Sequence, residues 1–349
     1  MRKKTIAVLF GGCSSEYDVS LQSASAVIQN IDREKYDIAM LGITREGEWI
    51  KFDGPTAQIQ DNTWMCHASC VRAVISPDRQ THGILVIEDS GVVSVRLDAA
   101  FPVLHGKNGE DGTLQGLLEL AGIPIIGCGV LSSAVCMDKD IAHRLVQGAG
   151  VKTPMSVVVT ALTPQKEIDE AVAALGYPLF VKPANAGSSF GISRVAQPSQ
   201  LLQAMMYAFK HDHKVVLEQA VEGFEVGCAV LGSHTLVVGE VDEIELQDGF
   251  FDYTEKYTLQ TSKIHMPARI SKETAARVKQ TAVMIYRALG CSGFARVDMF
   301  LTPQDDIVFN EVNTIPGFTS HSRYPAMLRG IGMSLYDVVN TLIEQAVPV

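Results

Sequence analysis

No apolar run in the chain approaches the ~18 residues that span a membrane. Nor is there a basic block or an aromatic–basic stripe. Membrane insertion and nucleic-acid binding are therefore not expected. The net charge of −10 is spread along the chain. It leaves an anionic substrate open, because a few placed lysines or a divalent cation reverse the field locally. The seven cysteines include no C-x-x-C pair. Cys66, His67 and Cys70 come nearest to a metal cluster but lack a second pair, which reads as a chance grouping. With no disulfide framework, a reduced cytoplasmic setting is expected. The P-loop pattern G-x-x-x-x-G-K-[ST] is also missing, so a nucleotide would need another cradle. The opening "MRKKTIAVLFGGC" has basic residues before an apolar stretch. That stretch, Thr5 to Phe10, is shorter than a signal-peptide core and runs into Gly-Gly, so it reads as a buried strand.

What is present is ample core material: 47% of 349 residues are hydrophobic, enough for two or three domains at roughly 100–200 residues each. Strands and helices alternate from the start. "KTIAVLFGG", "YDIAMLGI", "LDAAFPVLHG" and "IPIIGC" read as strands. "SLQSASAVIQNI" and "GTLQGLLELAG" read as helices. This predicts a doubly wound α/β domain over residues 1–122. "SSAVCMDKDIAHRLVQGAG" then predicts one helix, leading to the strand "MSVVV", the helix "QKEIDEAVAALG" and the strand "YPLFVKP". Beyond residue 214 come long strands, one amphipathic helix "SKETAARVKQTAVMIYRALG", and the strands "GFARVDMFLT" and "DIVFNEVN". The expected fold is an α/β N-terminal domain, with α+β central (123–214) and C-terminal (215–349) domains.

Chemistry concentrates in a few stretches. In "FNEVNTIPGFTSHSR", Glu311 and Asn313 are i and i+2 on a strand and share a face. Asp298 on the preceding strand can approach them. Such hard oxygen donors suit Mg²⁺, which keeps water and phosphate as its other ligands; an isolated E-x-N is otherwise a solvated sheet face. "GSSFG" offers glycines and two hydroxyls, Ser188 and Ser189, as a phosphate cradle. Lys182 ends the buried strand "PLFVKP" and needs an anionic partner. Lys139 is a second cation for the same anion, or a surface lysine. "HGKNGEDG" is a crevice-lining turn at a strand's carboxyl end, with His105 either structural or functional. Glu16 reads as a first-turn carboxylate or as an anchor for a substrate ammonium.

Taken together and in order, "LFGG.SSEYDVSL", "VLHGKNGEDGTLQGLLELAGIPIIGC", "MDKD", "VKPANAGSS", "RVDMF" and "FNEVNTIPGFTSHSRYP" resemble the D-alanine–D-alanine ligase family of ATP-grasp enzymes, over essentially the whole chain. The resemblance implies ATP-grasp central and C-terminal domains and a reaction in two steps. ATP phosphorylates the carboxylate of a first D-alanine; the amine of a second D-amino acid then displaces the phosphate. By motif match, Glu16 holds the first ammonium with His105 nearby, and Ser188 and Tyr257 link to Glu16. Lys139, Lys182, Ser189, Phe250 and Lys256 surround the nucleotide. Glu218, Gln219, Ala220, Val221 and Glu225 hold adenine and ribose, with Gln219 standing where many relatives have lysine. Asp298, Glu311 and Asn313 bind two Mg²⁺, with Mn²⁺ as a substitute, and Arg296 and the Gly317 N–H face the oxyanion. Residues of about 247–263 correspond to a mobile loop that excludes water from the acyl phosphate. The family expectation is a homodimer.

Arg323 departs from ordinary members, which place an apolar residue there beside Ser322, the group that would bind the acceptor carboxylate. A guanidinium adds donors and fits an acceptor with a hydroxyl. With Phe251, this resembles the D-alanine–D-serine ligases of vancomycin resistance. The substrates implied are D-alanine and D-serine, with a housekeeping D-alanine–D-alanine ligase as the alternative. D-lactate users are expected to be less similar, with histidine where Tyr257 stands. Asp242 is placed at the acceptor site, or as a surface carboxylate that pairs with Arg323 without affecting selectivity.

Overall fold

The computed structural model describes residues 2–187, 190–246 and 262–347. Three sheets carry the described residues. In the first, β1 (Lys4–Gly11), β2 (Tyr36–Ile43) and β7 (Ala99–Val103) are parallel; β3 (Trp49–Phe52), β4 (Val71–Ile75), β5 (Gly83–Glu88) and β6 (Gly91–Arg96) extend it antiparallel. The order is β6-β5-β4-β3-β2-β1-β7. Strand β1 lies between β2 and β7 and is buried from Ile6 to Gly11, so its alternation feeds two cores. Ile6, Val8 and Phe10 face one core, and Ala7 and Leu9 face the other. The helix Tyr17–Asn30 and the C-terminal helix Leu335–Ala346 cover the first core. The helix Thr113–Ala121 covers the second.

The second sheet is antiparallel: β10 (Ser193–Val195), β9 (Leu179–Pro183), β11 (Lys214–Gln219) and β8 (Ser156–Thr160), in that order. The helices Gln165–Leu175 and Leu201–Ala208 pack on it. The third is antiparallel throughout: β14 (Ser262–His265), β13 (Val237–Leu246), β12 (Phe224–Leu231), β15 (Phe294–Leu301) and β16 (Ile307–Asn313). Its alternation positions the site. Val226, Cys228 and Val230 of β12, with Ala295, Val297 and Met299 of β15, pack on the helix Lys272–Ala288. The intervening residues, Glu225 and Gly227 with Arg296 and Asp298, therefore share the opposite face.

Three local expectations are corrected. Four of the seven strands of the first sheet, those within residues 49–96, pair antiparallel, each beside its neighbour in sequence. "IPIIGC" forms no full strand; it makes one bridge, Ala100 to Ile125. The single helix predicted across residues 132–150 is two, Val130–Met137 and Lys139–Gly148. Asp138 breaks it with extended backbone and caps the second helix by accepting from the Ile141 N–H at 3.1 Å. Lys214 fixes the same carboxylate at 2.6 and 2.8 Å. The break turns Lys139 to the first position of the second helix.

The C-terminal helix is tied back to the N-terminal layer through Asn340. Its amide donates to Asn30 O at 2.9 Å and accepts from the Asp32 N–H at 2.9 Å, across more than 300 residues. Asn340→Ala leaves these partly buried backbone groups unpaired. It should lower unfolding free energy by about 1–3 kcal/mol, read as a lower urea midpoint at unchanged slope. An unchanged midpoint contradicts the role assigned to Asn340.

Candidate active site

The loops after β1, β7 and β16 meet the loop after β9 and the start of the helix Arg323–Arg329 around a cleft of about 290 Å³. Glu16, His105, Lys139, Arg296, Glu311, Asn313, Gly317, Ser322 and Arg323 all line it. Sequence spacing alone did not bring these residues together; the three sheets do.

Glu16 is buried at the N-terminus of the helix Tyr17–Asn30. Its carboxylate lies between two glycines from loops of different sheets: a Cβ on Gly106 would come within 2.9 Å of Oε2, and one on Gly187 within 3.4 Å. Gly106, at φ +71°, has both conformational and steric reasons to be glycine. His105 Nδ1 donates to Ile315 O at 2.8 Å, while Nε2 faces Ser23 Oγ at 3.4 Å. Burial lowers its pKa, partly offset by Glu16, so the ring is neutral.

Facing this wall is the third sheet. Asp298 is the cross-strand partner of Glu311, and Arg296 of Asn313. Asp298 is gripped by Arg296 Nε at 2.9 Å and Nη2 at 2.7 Å, and Asn313 Nδ2 donates to it at 2.9 Å. Among the described residues no three His, Cys, Asp or Glu side chains form a cage. Paired carboxylates with an amide suit Mg²⁺, which takes few protein ligands beside phosphate.

The guanidinium of Arg323 is buried on this same face. Nε and Nη2 form a fork on Asp242 at 2.7 and 2.8 Å; Nη1 reaches Glu225 at 2.7 Å and approaches Asp298 at 3.4 Å. Asp242 is fully buried, which corrects its reading as a surface carboxylate. Burial alone would lower the Arg323 pKa; the charges of Asp242 and Asp298 outweigh it and hold the guanidinium well above its usual range. Gly227, missed in the sequence, makes room: a Cβ there would lie 2.3 Å from Arg323 Nη2. A glycine inside a strand is the available signal for such close approach. Ser322 Oγ is taken up by the Thr319 N–H at 3.1 Å and lies 2.7 Å from where a Gly317 Cβ would be.

On the side expected to take the nucleotide, Lys139 Nζ donates to Ala186 O at 2.8 Å, and Lys182 pairs with Glu218 Oε1 at 2.6 Å, both buried. Glu218 Oε2 and His143 Nδ1 lie 4.0 Å apart with no hydrogen-bond partner. His143 Nε2 faces Asn310 O, so it carries the proton and leaves Nδ1 a bare acceptor. Two buried acceptors without a donor suit the exocyclic amine of adenine. Gln219 and Ala220 spend their N–H groups on Met155 O and Pro178 O, and Val221 follows them out of β11. Glu225 holds Arg323. Ser188, Ser189, Phe250, Phe251, Lys256 and Tyr257, with most of the expected loop 247–263, lie outside the described residues. Cys66, His67 and Cys70 serve the chain itself: His67 Nδ1 pairs with Ser69, and Cys70 Sγ donates to Trp64 O.

Two family models match: "D-ala D-ala ligase N-terminus" over residues 5–128 and "D-ala D-ala ligase C-terminus" over residues 145–344. The chain belongs to the D-alanine–D-alanine ligase family. Its structure is similar to that of VanG D-Ala:D-Ser ligase from Enterococcus faecalis at 56% identity and a TM-score of 0.93, covering 99% of this chain and 100% of that one. A putative D-alanine–D-lactate ligase of Streptomyces coelicolor is 45% identical over 99% of this chain and 98% of its own length. A D-alanine–D-alanine ligase of Caldicellulosiruptor bescii is 42% identical over 99% and 96%. That putative D-lactate ligase is less similar to this chain than the D-Ala:D-Ser ligase and slightly more similar than the D-alanine–D-alanine ligase, so overall identity does not rank acceptors. Membership makes the protein an ATP-dependent D-Ala-D-X ligase of cell-wall synthesis that uses a divalent metal ion.

Glu110, also missed in the sequence, lines the cleft and accepts from the Gly106 N–H at 2.8 Å and the Ile315 N–H at 3.0 Å. Burial, then the charge of Glu16, pushes its carboxyl up to about 8. The folded chain thus holds a proton that the unfolded chain loses near 4.5. Stability linked to this proton is full below 4.5 and declines as pH rises through about 8. Glu110→Gln removes that decline. Denaturant curves at pH 5 and pH 8.5 should show wild type losing stability relative to the variant; parallel losses contradict it.

Proposed function

We propose that the protein joins D-alanine to D-serine, forming a D-Ala-D-Ser precursor with lowered vancomycin affinity. The observation that carries the reading is the buried guanidinium of Arg323 on the cleft wall. Its hydrogen bonds to Asp242 and Glu225 use three of the five N–H donors, leaving polar capacity where an acceptor side chain would approach. A methyl group gains nothing from that wall; a hydroxyl does. The alternative is a housekeeping D-alanine–D-alanine ligase.

In this reading Glu16 orients the first D-alanine by its ammonium, and Ser322 and Arg323 receive the second amino acid. Arg296 and the Gly317 N–H stabilise charge on the carbonyl oxygen as it becomes tetrahedral, the step where fixed donors count most. ATP and two Mg²⁺, held by Asp298, Glu311 and Asn313, would supply the phosphoryl transfer. Phe251 and Tyr257 complete the acceptor and closure elements. A cytoplasmic homodimer completes the proposal.

Arg323→Leu should shift the D-Ala-D-Ser to D-Ala-D-Ala ratio toward D-alanine by roughly 10- to 100-fold, the loss of a charge-assisted hydrogen bond. The variant also strands buried carboxylates at about 3–5 kcal/mol. The ratio within folded protein is therefore the readout, with Arg323→Lys as a charge-retaining control. An unchanged ratio removes Arg323 from acceptor choice. Glu311→Gln should abolish turnover at ordinary Mg²⁺, followed as amino-acid-dependent ADP release; near-normal release contradicts its metal role.

A further inference from the structure

We propose that Glu110 is a positioning residue that sets the distance between the first-substrate anchor and the oxyanion donor. The inference rests on the roles proposed above for Glu16 and the Gly317 N–H. Each oxygen of Glu110 holds one side of the cleft. Oε2 accepts from the Gly106 N–H, and Gly106 is the glycine against the Glu16 carboxylate. Oε1 accepts from the Ile315 N–H, 205 residues away, two residues before Gly317.

The same N-terminal wall fixes the rest of that loop. His105 Nδ1–H donates to Ile315 O at 2.8 Å, so both polar groups of the Ile315 backbone are held from residues 105–110. Ser23 Oγ accepts the Phe318 N–H at 3.2 Å. Phe318 is fully buried among Phe101, Phe294 and Tyr324, with ring centroids 5.3–5.8 Å apart. Pro316 and Gly317 are thus suspended between two anchored residues, and proline fixes φ at the first of them. Aromatic packing clamps the Phe318 end and would survive loss of Glu110. The Ile315 N–H, by contrast, is held by Glu110.

A shift of about 1 Å in reacting groups costs on the order of 10²-fold in rate. Glu110 touches the backbone of both walls, so its loss should appear in kcat and leave nucleotide binding intact. Glutamine retains one acceptor oxygen and turns an NH₂ toward the other N–H. Aspartate is one methylene too short to span both.

The test is steady-state kinetics of Glu110→Ala, Glu110→Gln and Glu110→Asp, with thermal unfolding measured in parallel. D-alanine is the donor, and the better of D-serine and D-alanine is the acceptor. The expected result is a kcat about 10²-fold lower for Glu110→Ala and Glu110→Asp, ATP KM within about twofold of wild type, and recovery to within roughly tenfold for Glu110→Gln. Glu110→Ala with wild-type kcat overturns the proposal. So does a loss that follows unfolding alone, equal in the alanine and glutamine variants. The wild-type acceptor preference judges the D-serine reading separately; the variant-to-wild-type ratio judges the clamp whichever acceptor is used.

Discussion

A buried guanidinium cannot stand alone, and the C-terminal half is arranged around that constraint. Arg323 and Arg296 lie on the site face of the third sheet with Asp242, Asp298 and Glu225. Each charge is tolerated only because the others are within hydrogen-bond reach. That requirement couples the register of β12, β13, β15 and β16 to the first turn of the helix Arg323–Arg329. It also dictates glycine at 227, where any side chain would occupy the guanidinium's place. Pairs of this kind add little net stability compared with apolar packing, so their presence in a cleft points to chemistry more than to folding.

The other two layers supply what the charged face lacks. The N-terminal sheet contributes Glu16, His105 and Glu110 from loops at strand ends, where an α/β sheet places its ligand crevice. The second sheet brings Lys182 and Glu218 from neighbouring strands and delivers Gly187 beside Glu16. The cleft therefore has cationic, anionic and polar backbone components from all three sheets, the first and third of which share one core. The side chains of Glu110, His105 and Ser23 bond the Ile315 and Phe318 backbone and so tie the first layer to the third.

Much of this was legible in the sequence where chemistry and periodicity coincide. Period-two alternation put Glu311 and Asn313 on one face, and the observed register sets Asp298 opposite Glu311. The buried run of β1 was readable because a strand covered on both sides needs apolar residues at every position. Glu110 was not: it sits in the quoted turn "HGKNGEDG", but no local pattern announces a partner 205 residues away. The break at Asp138 was hidden because apolar spacing continues across it; the capping bond and Lys214 decide the matter. The pairing of Asp242 with Arg323 was one of two readings of that carboxylate, but nothing near it in sequence signals that the pair is buried.

The central claim is that the charged wall around Arg323 selects a hydroxylated acceptor. It is tested most directly by giving the wild-type protein ATP, Mg²⁺ and equal D-alanine and D-serine, and resolving the dipeptides by mass. The account predicts mostly D-Ala-D-Ser. A product that is mostly D-Ala-D-Ala would contradict it, leave the ligase fold and its ATP chemistry standing, and reduce the Arg323–Asp242 pair to a structural contact.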